Sequence, residues 1–341
     1  MNRIDNIRSN LVYLYHFRSV CCKGKEDDIE EQLPISTPYQ PSFSITEPSK
    51  DPEDLNTQWK NLSQFLNAWV KVFWDKENKK GVYMLVWVND DSVVSHKSPV
   101  PKSSLIYQYL INGDEDKKKV LEECETILIN AYNSAVKFFP ENTEVQSGFE
   151  IVGKEDFVMT VRGAFGIEIA YPYVDCLIEA IRSDSKEGIN ILQQFFKGIF
   201  AHEMTHYLRN EINEEENTGQ EIASHAVQLL ATGGENILID NRFEEIIKNP
   251  QTAYDLDMIS ALKVLQQKFS QSEYCIYKPT SFNPSELNKT MKSIPETQRE
   301  KVLQNIAQEI ISTSTIDLLR IAAQINVIPF KKPDLEIEKA S

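Results

Sequence analysis

The residues best suited to chemistry are His202-Glu203-Met204-Thr205-His206. On a helix, side chains four positions apart project from one face, one turn above the other, so both imidazoles can reach a single ion. Glu203 lies next to His202 around the helix and can address a water on that ion without ligating it. This is the arrangement of a zinc-activated water with a general base beside it, and the reaction it suits is peptide-bond hydrolysis. Leu192, Phe195, Ile199, His202 and His206 recur at spacings of three and four. The histidines therefore continue an apolar stripe and face the interior or a cleft, where a glutamate is costly without a nearby cation. The rival reading is accident on a well-packed helix, which a chain of this composition produces roughly once in a hundred or less often.

A catalytic zinc takes three protein ligands and keeps one position open. In metzincins a Gly follows three residues after the second His and a third His three further on; here Arg209 and Ile212 occupy those places, which excludes that class. Downstream, Ile222, Ala226, Leu229 and Leu230 give 218–231 an apolar helical side. Glu221 lies 15 residues beyond His206. A turn of about seven residues would let the two helices pack antiparallel, and Glu221 is the expected third ligand. His225, one turn further, could hydrogen-bond Glu221 or a zinc-bound histidine from the second shell of ligands, could ligate the ion directly, or could simply pack between helices. Glu211, Glu214, Glu215 and Glu216 are rival carboxylates in what reads as a solvated connection. No spacing selects an oxyanion donor among Tyr207, Tyr254, Tyr274 and Tyr277.

These residues resemble the gluzincin group of zinc metallopeptidases, in which an HExxH helix supplies two histidines and a following helix a glutamate. The stretch 221–230 is also similar to the glutamate helix of ImmA/IrrE-type peptidases, where an Ala stands five residues after the Glu and a Leu-Leu pair follows: here Glu221, Ala226, Leu229 and Leu230. The resemblance covers about 187–231. It implies that His202, His206 and Glu221 bind one zinc ion and that Glu203 activates the water. It further implies that a strand edge before the active helix holds an extended substrate, for which 165–171 is best placed; ordinary sheet core is its plainer role. Two features depart from the group: the gap to Glu221 is short, and His225 stands where an acidic residue often appears.

The elements that must position this motif are legible from periodicity. Residues 55–75 place Trp59, Leu62, Phe65, Leu66, Trp69, Val70 and Phe73 at helical spacing, predicting an amphipathic helix. A strand is expected at 81–88 and a capped helix at about 114–139, stopping before Pro140. Short strands are expected at 144–152, 157–161 and 165–171. From about 187 the pattern is helical, near 187–210, 218–231, 252–269, 284–312 and 314–325. Residues 23–54 carry five prolines among polar side chains and read as a tether. No internal repeat is found. The expected fold is α+β and zincin-like: a small mixed sheet packed on an active-site helix, followed by a mainly helical C-terminal half. The parts are 1–54, 55–186 and 187–341.

Composition narrows the function class. With 41% hydrophobic and 26% charged residues in a chain of 341, the protein can bury a large core. A net charge of −15 disfavours nucleic acid and anionic lipid, and no basic patch offsets it. The five cysteines show no CxxC spacing, which fits a reducing, cytoplasmic setting. The apolar run 11–15 is too short for a signal-peptide core or a transmembrane segment. Delivery into another cell as a protease effector or toxin is compatible with that. Cys21 and Cys22 read as unmodified thiols, with palmitoylation the rarer alternative. The expected partner is a protein or peptide substrate. A second reading keeps the fold as a binding or regulatory module, with zinc structural or absent.

Overall fold

The computed structural model describes residues 68–75, 80–88, 98–111, 113–139, 148–154, 159–160, 166–212, 220–233, 250, 253–272 and 284–324. The chain divides into two units, Met1–Leu208 and Arg209–Ser341. The architecture is α+β, a mixed sheet in the first unit and helices in both.

The first unit is built on a five-stranded sheet of order β1-β2-β3-β5-β4: β1 (Trp69–Asp75), β2 (Lys80–Val86), β3 (Gly148–Val152), β4 (Met159–Thr160) and β5 (Ile167–Ala170). The two central pairings, β2 with β3 and β3 with β5, are parallel; the outer two are antiparallel. The helices of this unit are α1 (Leu105–Ile111), α2 (Glu115–Val136), α3 (Tyr171–Arg182) and α4 (Lys186–Ile212), the last running on into the second unit.

The helix expected at 55–75 is corrected over its second half: 69–75 is strand β1, paired residue for residue with β2, while 55–67 lies outside the described residues. The competing signal is a period of two. Val70 and Val72 join Tyr83, Leu85 and Trp87 on one face of the sheet, and Lys71 on the other face pairs with buried Glu125 of α2. β-Branched residues fit a pleated surface better than a helix, and the long ladder with β2 decides the outcome.

On the helical side of the sheet, Phe149 of β3 meets Tyr132 of α2 and Phe200 of α4, with ring centroids 5.9 and 5.3 Å apart. Phe195 stacks on Tyr173 of α3 at 5.6 Å. Each ring withdrawn from water contributes about 2–3 kcal/mol, and together they fix the rotation of α4 about its axis. On the opposite face, buried Glu150 accepts from Trp87 Nε1 at 2.8 Å.

Helix α3 was not anticipated. β5 ends at Ala170 because Pro172, in the first turn of α3, suits a helix start and lacks a ladder donor. Its buried Tyr173, Val174, Leu177, Ile178 and Ile181 carry the helical period that would have revealed it.

The second unit contains the end of α4 and helices α5 (Gln220–Ala231), α6 (Ala253–Ser270), α7 (Pro284–Ser293), α8 (Glu296–Ser312) and α9 (Thr315–Gln324). α5 packs on α6 and α8, and α9 on α6. The single helix expected at 284–312 is two, because Pro295 is the N-cap of α8 and cannot continue α7. The Arg299 guanidinium donates back to the carbonyls of Lys292 and Ile294 at the end of α7.

Arg209 has no exposed surface. Its Nη1 donates to the carbonyls of Ile310, Ile311 and Thr313 at 3.3, 2.8 and 2.8 Å, and Nη2 to Thr315 Oγ1 at 3.1 Å. The guanidinium thus caps the C-terminus of α8, where carbonyls lack helical partners and the dipole favours positive charge. Burial pulls its pKa down from the ordinary value. Among the described residues no helix is long and apolar enough to cross a membrane, and Cys124 and Cys176 are free thiols.

Two substitutions test this frame. Arg209→Ala is expected to lower unfolding free energy by about 2–4 kcal/mol, by stranding buried carbonyls and leaving a cavity, with Lys a poor substitute for the planar fork. Gly166, at φ +150°, would press a Cβ into the carbonyl of Gly148. Gly166→Ala should therefore cost about 2–4 kcal/mol by the same denaturant titration.

Candidate metal centre

In the first unit, α4 carries the HExxH motif on a buried stripe. Leu192, Phe195, Ile199 and His202 are each less than 5% exposed, as is Glu203. Phe200, two residues before His202, is locked between Tyr132 and Phe149. Thr205 donates to the Ala201 carbonyl at 2.8 Å within the helix. The rings of His202 and His206 converge: their Nε2 atoms lie 3.0 Å apart, with centroids 4.7 Å apart and planes at 70°. Two nitrogens bound to one tetrahedral zinc at about 2.0–2.1 Å stand about 3.3–3.4 Å apart. The observed separation suits a direct ring-to-ring hydrogen bond and needs a widening of only a few tenths of an ångström to admit an ion. His206 and Tyr207 are half-buried.

In the second unit, α5 presents Glu221, His225 and Gln228 at helical spacings of four and three. Glu221 Oε2 is 3.5 Å from His225 Nε2, and the His225 Nδ1 is 3.3 Å from Gln228 Oε1. His225 has no exposed surface and Gln228 is 3% exposed, while the Glu221 side chain is 36% exposed. From α6, Asp257 brings a second carboxyl toward Glu221: burial first, and then the Glu221 charge, pushes its pKa up to about 6.

His202 and His206 therefore share a face with Glu203 beside them, and Glu221 and His225 stand together on α5. Two imidazoles and a carboxylate are the donor types of a catalytic zinc, and His202, Glu221 and His225 each offer a ligand atom. Gln228 and Asp257 were not singled out from the sequence. Gln228 was findable, since it lies two turns from Glu221 on the same face; Asp257 arrives from another helix and leaves no local trace.

The plainer of the two roles expected for 165–171, sheet core, is the one seen over its described residues: β5 is flanked by β3 along its whole length and by β4 at Glu168 and Ile169. Its four residues are buried on both faces, which is why apolar Ile167 and Ile169 alternate with an equally buried Glu168. Of the rival residues, Glu214, Glu215, Glu216, Tyr274 and Tyr277 fall outside the described residues, as do the side chains of Glu211 and Tyr254 and the pair Cys21 and Cys22.

Comparison of the chain with protein-family models, with curated proteins and with solved structures gave no match.

The Asp257 carboxyl makes a pH prediction. An acid whose folded-state pKa exceeds its unfolded value near 3.8 adds stability below that value and loses it as pH rises through about 6. In metal-free protein, Asp257→Asn should match the parent near pH 4 and exceed it at pH 7. The gain is about 1–2 kcal/mol after allowance for solvent screening, read from denaturation midpoints.

Proposed function

We propose that the protein is a zinc-dependent peptidase of zincin-like fold, with His202, His206 and Glu221 as ligands and Glu203 as general base. The observation that carries this reading is the 3.0 Å approach of the His202 and His206 Nε2 atoms on a buried helical face, with buried Glu203 adjacent. A single ion would take a lone pair from each ring and place positive charge beside buried Glu203. When bound, zinc supplies Lewis acidity, bringing the pKa of a water toward neutrality and polarising a carbonyl.

The chain's own groups do the rest. Glu203 accepts a proton at its carboxylate from the attacking water and returns it to the departing amine nitrogen. Its burial keeps bulk water from competing for that proton and strengthens its interaction with nearby charge. The aromatic contacts of Phe195 and Phe200 hold the motif in register, so the imidazoles need little reorganisation to receive an ion. The substrate is a protein or peptide, since the −15 net charge disfavours nucleic acid. A cytoplasmic setting, in which the thiols stay reduced, is part of the same proposal.

Elemental analysis of protein purified without added metal is expected to give about one zinc per chain in the parent and in Glu203→Gln, and a large loss in His206→Ala. Glu203→Gln should also lower hydrolysis of an unfolded-protein substrate about 10²–10⁴-fold. A parent without zinc, or a Glu203→Gln variant as active as the parent, contradicts the proposal and favours a binding module.

A further inference from the structure

We infer that Arg209 is a positioning residue for His206: its anchored guanidinium keeps α4 wound across the second histidine of the motif, so that both imidazoles stay within reach of one ion. This rests on the zinc reading above and adds a residue that sets the geometry of the histidines without touching the ion.

His206 stands near the end of α4, which closes at Ile212. The last carbonyls of a helix have no partner within it, and such ends fray. The aromatic contacts that fix α4 lie earlier, at Phe195 and Phe200. His206 and Tyr207 are half-buried, and past them come Leu208, 6% exposed, and Arg209, with no exposed surface. Burial of Leu208 is favourable but non-directional. The bonds of Arg209, three residues beyond His206, are directional: Nη1 donates to the carbonyls of Ile311 and Thr313 at 2.8 Å each, and Nη2 to Thr315 Oγ1 at 3.1 Å. A planar fork bonded at both nitrogens fixes its own direction, and its buried stem passes that restraint to the backbone of α4. The tolerance at the histidines is small, because Nε2 atoms 3.0 Å apart need open by only a few tenths of an ångström to share an ion. A residue that leaves the helix advances about 3.3 Å rather than about 1.5 Å, so one unwound position at His206 exceeds that tolerance several times over.

The test uses the full chain and compares Arg209→Met, which keeps the stem and loses the fork, with Leu318→Ala, which empties a fully buried site on α9 and destabilises without touching α4's anchor. Denaturant titration places both variants on one stability scale. In the metal-free proteins, the amides of residues 206–209 should exchange with solvent about tenfold or more faster in Arg209→Met and near the parental rate in Leu318→Ala. Titration with zinc alone should show binding about 10–100-fold weaker in Arg209→Met and within about twofold of the parent in Leu318→Ala. Equal effects in the two variants overturn the inference, since general loss of stability then explains both; so does parental zinc binding in Arg209→Met. Those results leave the peptidase reading standing. A parent that takes up no zinc overturns that reading and, with it, the role given to Arg209. Should Arg209→Met not fold, Thr315→Val removes only the Nη2 acceptor: exchange at 206–209 faster by about 2–10-fold supports the inference, and unchanged exchange overturns it.

Discussion

The constraint on which the site depends is the cost of taking imidazole and carboxylate groups out of water. A helix face that buries His202 and Glu203 and brings two ring nitrogens to 3.0 Å is tolerable only if those groups share partners or charge. In the proposed reading a divalent cation would meet both demands at once. The rest of the first unit serves that face. A parallel sheet centre supplies Phe149, α2 supplies Tyr132 and α3 supplies Tyr173, and the phenylalanines of α4 dock on them. Rotation of α4 would drag Phe195 and Phe200 out of contact, so the orientation of the histidines is set by hydrophobic packing several ångströms away.

The second unit meets the same problem differently. On α5 the polar groups form a line: Gln228 bonds His225, and His225 faces Glu221. Among the described residues Arg209 is a buried charge held by neutral oxygens, its guanidinium spread over the carbonyls that end α8 and the hydroxyl that opens α9. This also explains why the position three residues after the second histidine of the motif holds no glycine. The side chain there is committed to closing a helix corner.

Much of this was legible in the residues alone. The helix at 187–210, the one at 218–231 and the convergence of His202 with His206 follow from a 3.6-residue period and from local spacing, which survive in the folded chain. What was not legible depended on distant partners. Residues 69–75 look helical by their aromatic spacing and become a strand because β2 lies alongside them. The run 165–171 could be read as a substrate-holding edge or as sheet core, because edge or centre is a property of the neighbours, and β4 pairs with it at Glu168 and Ile169. The break at Pro295 was visible in the residue type and was overridden by the long apolar period on either side. Gln228 belonged to the same helical arithmetic as Glu221 and His225, whereas Asp257 reaches them only through the packing of α6 on α5.

The most direct test of the central claim is an anomalous-difference map at the zinc edge from crystals grown with zinc as the only added metal. The account predicts one peak bonded to Nε2 of both His202 and His206 at about 2.0–2.1 Å, with a carboxylate oxygen completing the protein ligands. A map without a peak at the two rings, or one in which they hydrogen-bond each other while zinc sits elsewhere, would contradict it.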